Sequence, residues 1–209
     1  MTELVIHGLT PSSYTRTARM VAVEKGLDHR LAPVDLGSPA HRAIHPWGRV
    51  PYLTHGAVQL IETAAIAHYL DAIGPGPSLV PADPVRRAED AQWLSIINCY
   101  AYSDLVPNYL FHYLFPKTAD RTPDRALIAQ GVPNLERDLR LFEAGFRGAW
   151  LTGDTLALSD LFLAPILAYV SAFPEAQSIL ETTPNLRRFL AAIATRPSFT
   201  STAPSRPAA

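Results

Sequence analysis

The chain has little that would let it build a metal cluster, cross a membrane or cover a nucleic acid. Its single cysteine, Cys99, excludes an internal disulfide and a multi-thiolate metal site, and it lies in an apolar stretch where we expect it to be buried. The formal net charge is -1 without a run of like charges, which disfavours a nucleic-acid partner and a polybasic membrane surface. The longest apolar run, 161–170, is too short to span a bilayer, and residues 1–8 lack the basic and apolar regions of a signal peptide. We therefore expect a globular, soluble, cytoplasmic protein that binds no metal.

Hydrophobic periodicity divides the chain into two predicted domains. Residues 1–75 change period repeatedly, in the order β-α-β and then β-β-α, whereas the pattern after the first 84 residues is only helical. The proline- and glycine-rich residues 76–84 predict a linker. The sequence therefore predicts an α/β domain over 1–75 and an all-α domain over 85–209. The helices predicted in the second domain cover 85–115, 124–146, 158–171 and 186–195.

Hydroxyl side chains crowd the turn that follows the first predicted strand. A helix start needs only one of them as N-cap, because one side-chain oxygen satisfies one unpaired backbone N–H. The excess suggests a further role for at least one hydroxyl. The cluster consists of Thr10, Ser12, Ser13, Tyr14 and Thr15.

Three stretches of the chain resemble the cytosolic glutathione transferases, in that family's order and spacing. They are SSYTRTARMVAVEKGL after the first strand, HPWGRVPYL in the middle of the first domain, and LIETAAIAHYL at the start of its last helix. Together with the two-domain layout, the likeness covers nearly the whole chain and is greatest to the serine-using phi, zeta and theta classes. It implies a thioredoxin-like first domain, glutathione as co-substrate, and a homodimer.

The resemblance implies a set of contacts for the γ-glutamyl and cysteinyl parts of glutathione. Pro51 matches a structural cis-proline, and Val50 before it would pair its backbone with the cysteinyl unit. Thr63 lies at a helix start, where a hydroxyl and free N–H groups bind a carboxylate. Glu62 would supply the counter-charge for the γ-glutamyl ammonium.

The glycyl carboxylate of glutathione needs a cation or hydrogen-bond donors. Arg49 is the first choice because a guanidinium can bind a carboxylate with two parallel hydrogen bonds. His41 and Arg42 are alternatives in the preceding irregular segment. Ser13 is a further candidate contact, since it matches a Ser-Ser opening in the maleylacetoacetate-isomerase-like class.

The hydroxyl cluster would ionise the glutathione thiol. A thiol with a pKa near 8.5 must shift by about 1.5 units, or roughly 2 kcal/mol, to be half-ionised at pH 7. One hydrogen bond to a charged group contributes about 1.5–3 kcal/mol, and a helix N-terminus adds about 0.3–1. Ser12 matches the catalytic serine of the family, while Ser13 and Tyr14 remain alternatives. Tyrosine-using classes place the phenol on the first strand, where this chain has His7.

Two further expectations concern the second substrate and the second subunit. The first helix of the second domain carries Tyr102, Tyr109 and Tyr113 on one face, which suggests an aromatic wall for a flat, apolar electrophile. Trp47 occupies a position from which related classes insert an aromatic side chain into the partner subunit, so we expect a homodimer.

One helix of the second domain lacks the N-cap that the family usually has. Ala157 stands three residues before Asp160, where serine or threonine would complete a capping box. Losing such a cap typically costs around 1 kcal/mol. We therefore predict that Ala157→Ser stabilises the protein.

The resemblance favours a transferase that joins glutathione to an electrophilic small molecule, as in detoxification. An isomerase or lyase of the maleylacetoacetate-isomerase type, in which glutathione adds and leaves again, is an alternative. A second alternative is a binding protein that kept the fold without the chemistry. The sequence specifies neither the electrophile nor the pathway.

Overall fold

The structure is a computed structural model, and it describes residues 2–204. Contacts divide the chain into two compact units, one containing the residues up to Val80 together with those from Ala194, the other Pro81–Ile193. The sequence assigned the residues after Ile193 to the second domain, and the last five of them, 205–209, lie outside the described part. The position of the domain linker stays a prediction.

The first unit is built on a four-stranded mixed sheet with the strand order β2-β1-β3-β4. β1 is parallel to β2 and antiparallel to β3, and β3 is antiparallel to β4. Ile6 and Leu53 face each other in register and are fully buried, as expected for the core side of a half-buried sheet. The strands are β1 Leu4–His7, β2 Arg30–Ala32, β3 Tyr52–His55 and β4 Val58–Ile61.

Three helices follow these strands in the first unit: α1 Ser13–Glu24, α2 Pro39–Ile44 and α3 Thr63–Ile73. α1 and α3 pack against each other, and fully buried residues such as Val21 and Ile66 lie on them. α2 was not predicted, because six residues are too few to show a hydrophobic period. Its start is nevertheless well formed, since the Ser38 hydroxyl accepts the His41 N–H at 3.2 Å. The predicted thioredoxin-like α/β fold is confirmed.

The second unit is helical, and its residues 84–114 form one interrupted helical run. Wider π-helical turns at Ile97–Ala101 and Val106–Leu110 separate its three α-helical parts, and Pro107 lies in the second of these turns. A π-helical turn contains one extra residue. The changed hydrogen-bond spacing accommodates a proline, which has no backbone N–H to donate. The run consists of α4 Pro84–Ile96, α5 Tyr102–Leu105 and α6 Phe111–Leu114, and it is followed by α7 Arg125–Gly145, α8 Leu158–Val170, α9 Pro174–Leu180 and α10 Pro184–Ala194.

Cys99 is exposed, so the expectation that it is buried was wrong. Ile97 and Ala101, two residues to either side, are buried, which places Cys99 on the outward side of the π-helical turn. Within residues 2–204, no helix combines the length and the apolarity needed to cross a bilayer.

The start of α8 is capped in an unexpected way. Ala157 offers no hydroxyl, and Asp160 accepts the Ala157 N–H through Oδ2 at 2.9 Å, so only one half of the capping box exists. Asp90 of α4 accepts the Ser159 N–H at 2.9 Å. An acceptor from another helix therefore satisfies one of the N–H groups that the missing cap would have served.

A short last helix, α11 Pro197–Ser201, belongs to the first unit and packs on α1. Arg196 donates two hydrogen bonds to the carboxylate of Glu24, at 2.7 and 2.6 Å. Arg16 donates to the carbonyl oxygen of Phe199 at 2.9 Å, and its guanidinium lies 3.9 Å from the centre of that ring. These contacts hold the end of the described chain against α1.

Candidate active site

Strand register brings the predicted glutathione contacts to one edge of the sheet. His7 ends β1 opposite Tyr52, which begins β3, and Tyr52 lies opposite Ile61, which ends β4. The turn after β1, the two residues before β3 and the residue after β4 therefore lie at the same edge. These positions carry Ser12, Val50 and Glu62.

Ser12 is the N-cap of α1 and is half-buried. Its Oγ accepts the Thr15 N–H at 3.2 Å, and a hydroxyl that accepts in this way keeps its own proton for donation. The hydroxyl also lies at the positive end of the α1 dipole. Ser12 can therefore cap the helix and donate to an anion at the same time.

Two other residues of the cluster are buried in the protein. Thr15 is buried against Gly8, where a Cβ would lie 2.3 Å from Thr15 Oγ1, so only glycine permits this approach of strand and helix. Ser13 is buried, and its carbonyl oxygen accepts the Thr17 hydroxyl at 3.1 Å. Packing of the β1–α1 connection thus explains part of the crowding.

Glu62 and Thr63 form the junction between β4 and α3. Glu62 has a φ of 70°, a left-handed conformation that non-glycine residues rarely adopt and that concentrates at functional sites. Its side chain is 70% exposed and makes no capping hydrogen bond to α3. Thr63 is the buried first residue of that helix. The junction therefore presents a carboxylate beside a helix N-terminus, which suits a ligand carrying both charges.

The Val50–Pro51 peptide bond is cis, and Val50 is half-buried. Arg49 is exposed beside it, and Arg42 is exposed with its Nε donating to the Gly37 carbonyl oxygen at 3.2 Å. A guanidinium is therefore available next to the proposed cysteinyl contact.

His41 has a different environment from the one expected of a ligand contact. It is buried, its Nδ1 accepts the Gly37 N–H at 3.1 Å, and its Nε2 lies 2.9 Å from the Arg49 carbonyl oxygen. Both ring nitrogens are engaged by backbone groups, so the ring has none left for a carboxylate.

Tyr109 lies in the core of the second unit, and this argues against its expected role in binding an electrophile. It is fully buried, and its hydroxyl donates to Glu175 Oε2 at 2.8 Å. Burial, reinforced by Glu175, raises the pKa of the Tyr109 phenol. Tyr113 donates to the same oxygen at 2.6 Å but is half-buried, as is Tyr102.

Two side chains stand out in the segment between α2 and β3. Trp47 is 70% exposed, an unusual position for an indole in a loop. His45 was not singled out from the sequence, yet it is buried with Nε2 4.0 Å from Glu62 Oε1. Its place in the HPWG stretch, two residues before Trp47, was the only available signal.

Comparison with known proteins covers both units. The model for the glutathione S-transferase N-terminal domain matches residues 6–78, and that for the glutathione S-transferase C-terminal domain matches residues 105–197. The chain is 30% identical over 215 residues to glutathione S-transferase 3 of Zea mays, covering 99% of this chain and 96% of the relative. It is also 30% identical over 208 residues to maleylacetoacetate isomerase of Pseudomonas aeruginosa, covering 94% and 93%. The solved structure of glutathione S-transferase-I bound with lactoylglutathione is similar with a TM-score of 0.84 at 25% identity, covering 96% of this chain and 98% of that chain. The chain therefore belongs to the glutathione S-transferase family.

Proposed function

We propose that this glutathione S-transferase conjugates the thiolate of glutathione to an electrophilic, apolar small molecule, with Ser12 as hydrogen-bond donor to the thiolate. The observation that carries the proposal is the convergence of Ser12, Val50 and Glu62 at one edge of the sheet. This edge offers a hydroxyl, a backbone segment and a carboxylate, which are the groups that the tripeptide requires.

Each charged part of glutathione has a partner at this edge. The N–H groups of the first turn of α3, with the Thr63 hydroxyl, bind the γ-glutamyl carboxylate, because a helix N-terminus favours an anion. Glu62 pairs with the γ-glutamyl ammonium, and its exposed carboxylate pays little desolvation to do so. Val50 binds the cysteinyl backbone, and Arg49 binds the glycyl carboxylate.

Ser12 makes the thiol reactive by stabilising its anion. The thiol loses its proton to water, and the Ser12 O–H then donates to the sulfur while Ser12 Oγ still accepts the Thr15 N–H. The thiolate sulfur forms a bond to the electrophilic carbon, and the leaving group departs with the electron pair of the broken bond. The required stabilisation of roughly 2 kcal/mol lies within the contribution of one charge-assisted hydrogen bond.

The electrophile and the partner subunit complete the proposal. Tyr102 and Tyr113 are the aromatic side chains that we retain as electrophile contacts. Trp47 would contact a second copy of the chain in a homodimer, which explains its exposure. Sedimentation velocity of the wild type and of Trp47→Ala tests this, and a monomeric wild type would contradict it.

A glutathione-dependent isomerase is the second candidate function. It is favoured by the 30% identity to maleylacetoacetate isomerase of Pseudomonas aeruginosa and by the Ser12–Ser13 pair. A screen of halogenated aromatics, epoxides and maleyl acids with glutathione separates the two. A stable thioether product indicates a transferase, whereas an isomerised acid with glutathione regenerated indicates an isomerase.

Ser12→Ala tests the role of the hydroxyl. Glutathione affinity should stay within a few-fold, because Val50, Glu62 and Thr63 still hold the tripeptide. The thiol pKa in the complex should rise by about one to two units, and turnover at pH 7 should fall at least about tenfold and recover partly at high pH. The measurement is the thiolate absorbance of bound glutathione against pH.

The matched controls for this test are Ser13→Ala and Tyr14→Phe, which remove neighbouring hydroxyls. Both should move the titration curve less than Ser12→Ala does. A larger shift in either control would transfer the role to that residue and refute the assignment of Ser12.

A further inference from the structure

His45 is a buried imidazole beside the exposed carboxylate of the glutathione site. Its relative exposure is 2%, and its Nε2 lies 4.0 Å from Glu62 Oε1. The Glu62 side chain is 70% exposed and can turn, whereas the imidazole is held by its surroundings. A small rotation of the carboxylate would bring the two groups to hydrogen-bond distance.

The position of the ring proton follows from the two nitrogens' environments. Nδ1 of His45 is buried and makes no hydrogen bond, so a proton there would be an unpaired buried donor, which costs free energy. A proton on Nε2 instead points towards the Glu62 carboxylate. A neutral ring that carries its proton on Nε2 can donate to Glu62.

The charge of His45 depends on groups from three segments around it. Burial lowers the pKa of His45; Glu62 opposes this shift, while His41 of α2 and Arg49 of the following loop reinforce it. His45 is thus neutral at pH 7 and becomes a cation only in acid. Its protonated ring would stand beside the carboxylate that glutathione needs.

We propose that His45 is a positioning residue for glutathione binding, acting through Glu62. In its neutral form the Nε2–H holds one oxygen of the Glu62 carboxylate, leaving the other for the γ-glutamyl ammonium. In its protonated form the ring competes with that ammonium for the same carboxylate. The inference rests on the proposed function, because that function gives Glu62 its ligand. It makes glutathione affinity fall as the pH falls below 7.

The probe for this test is S-methylglutathione, which has no thiol to titrate. Its ammonium stays charged and its carboxylates stay ionised between pH 5 and 7, so a change in affinity reports on the protein. Calorimetric titration of the wild type should show a dissociation constant that rises at least about threefold from pH 7 to pH 5, the scale of a partly exposed ion pair.

Three variants separate the proposed pair from other titrating groups. His45→Gln keeps a donor but gains no proton, so its dissociation constant should lose the rise in acid. Glu62→Gln should bind more weakly and also lose the rise. Because the Glu62 side chain is exposed, this variant should fold normally, so the test stands even if a His45 variant does not fold. His55→Gln is the control: this half-buried histidine contacts Tyr69, with Nδ1 2.8 Å from the hydroxyl, and the acid-side rise should persist.

The outcomes that overturn the inference are distinct from those that overturn the proposed function. Parallel pH curves for the wild type and His45→Gln, or an unchanged rise in Glu62→Gln, would refute the role of His45 while leaving glutathione binding intact. No binding of S-methylglutathione by the wild type at pH 7 would refute the proposed function, and the inference with it.

Discussion

Asp160 gives a sharp test of how the second unit is held together. Its side chain is fully buried, with Oδ1 accepting the Leu151 N–H at 3.0 Å and Oδ2 accepting the Ala157 N–H at 2.9 Å. Leu151 and Ala157 are themselves buried, so water cannot replace the carboxylate. Asp160→Ala would therefore leave two buried backbone donors unpaired.

The expected cost follows from those two donors. Each unpaired buried N–H costs about 1–3 kcal/mol. Part of this loss is offset, because the variant no longer has to desolvate a carboxylate when it folds. A net loss of about 3 kcal/mol is a large share of the roughly 5–15 kcal/mol that stabilises a typical protein. At about 2–4 °C for each kcal/mol, the melting temperature should fall by roughly 6–12 °C.

Urea denaturation of Asp160→Ala and Asp160→Asn, followed by fluorescence and circular dichroism, measures this loss. The asparagine variant keeps one acceptor and should lose about half as much. Asp154→Ala is the matched control, because the exposed Asp154 also accepts one backbone N–H, that of Ala149 at 3.2 Å, and water can take its place. If Asp160→Ala costs no more than Asp154→Ala, the reasoning from buried donors fails.

Three further perturbations test other parts of the structure. Lys25 Nζ lies 2.6 and 2.8 Å from two carbonyl oxygens of the predicted linker and 3.0 Å from Asp71 Oδ1. Lys25→Met should therefore lower the free energy of unfolding, measured by urea denaturation, by about 3 kcal/mol. A loss below about 1 kcal/mol would contradict this. Ala157→Ser should raise the melting temperature by a few degrees, in line with a cap contribution of about 1 kcal/mol, and an unchanged or lower value would show that the first turn of α8 has no donor to offer. Burial lowers the pKa of three histidines, so the unfolded state binds more protons than the folded state does. The stability that these histidines contribute is therefore present above their unfolded pKa of about 6.5, and it is lost as the pH falls through their folded pKa values. Urea midpoints should therefore decline from pH 7.5 to 5, and constant midpoints would refute this account. The three residues are His7, His29 and His45.

The long elements of the fold could be predicted because their hydrophobic period is sustained over several turns. The missed helices are α2, α9 and α11, with six, seven and five residues. Each begins with a proline, Pro39, Pro174 or Pro197, at its first position. Proline suits that position because the N–H it lacks would be unpaired there anyway, but this signal is shared by ordinary turns.

The family resemblance implied Ser12, Val50 and Glu62 as glutathione contacts, and the strand register brings all three to one edge of the sheet. The environments of Tyr109 and His41 could not be predicted from the sequence. Periodicity assigns Tyr109 to a face of its helix, but Glu175, which accepts the hydrogen bond from its hydroxyl, lies 66 residues further along the chain. A residue's exposure depends on such distant neighbours, and local pattern does not identify them.

The start of α8 shows the same limit in a helix cap. A local rule inspects only the residue at the cap position, and Ala157 fails it because alanine carries no acceptor. The structure supplies acceptors from two other places: Asp160 takes the Ala157 N–H, and Asp90, 69 residues away, takes the Ser159 N–H. A serine hydroxyl at position 157 would reach only the N–H groups of the second or third helical residue, and Asp90 already serves the second. The gain from Ala157→Ser is therefore limited to a single hydrogen bond, because a helix start is stabilised by whichever oxygen reaches its donors, whatever its distance in sequence.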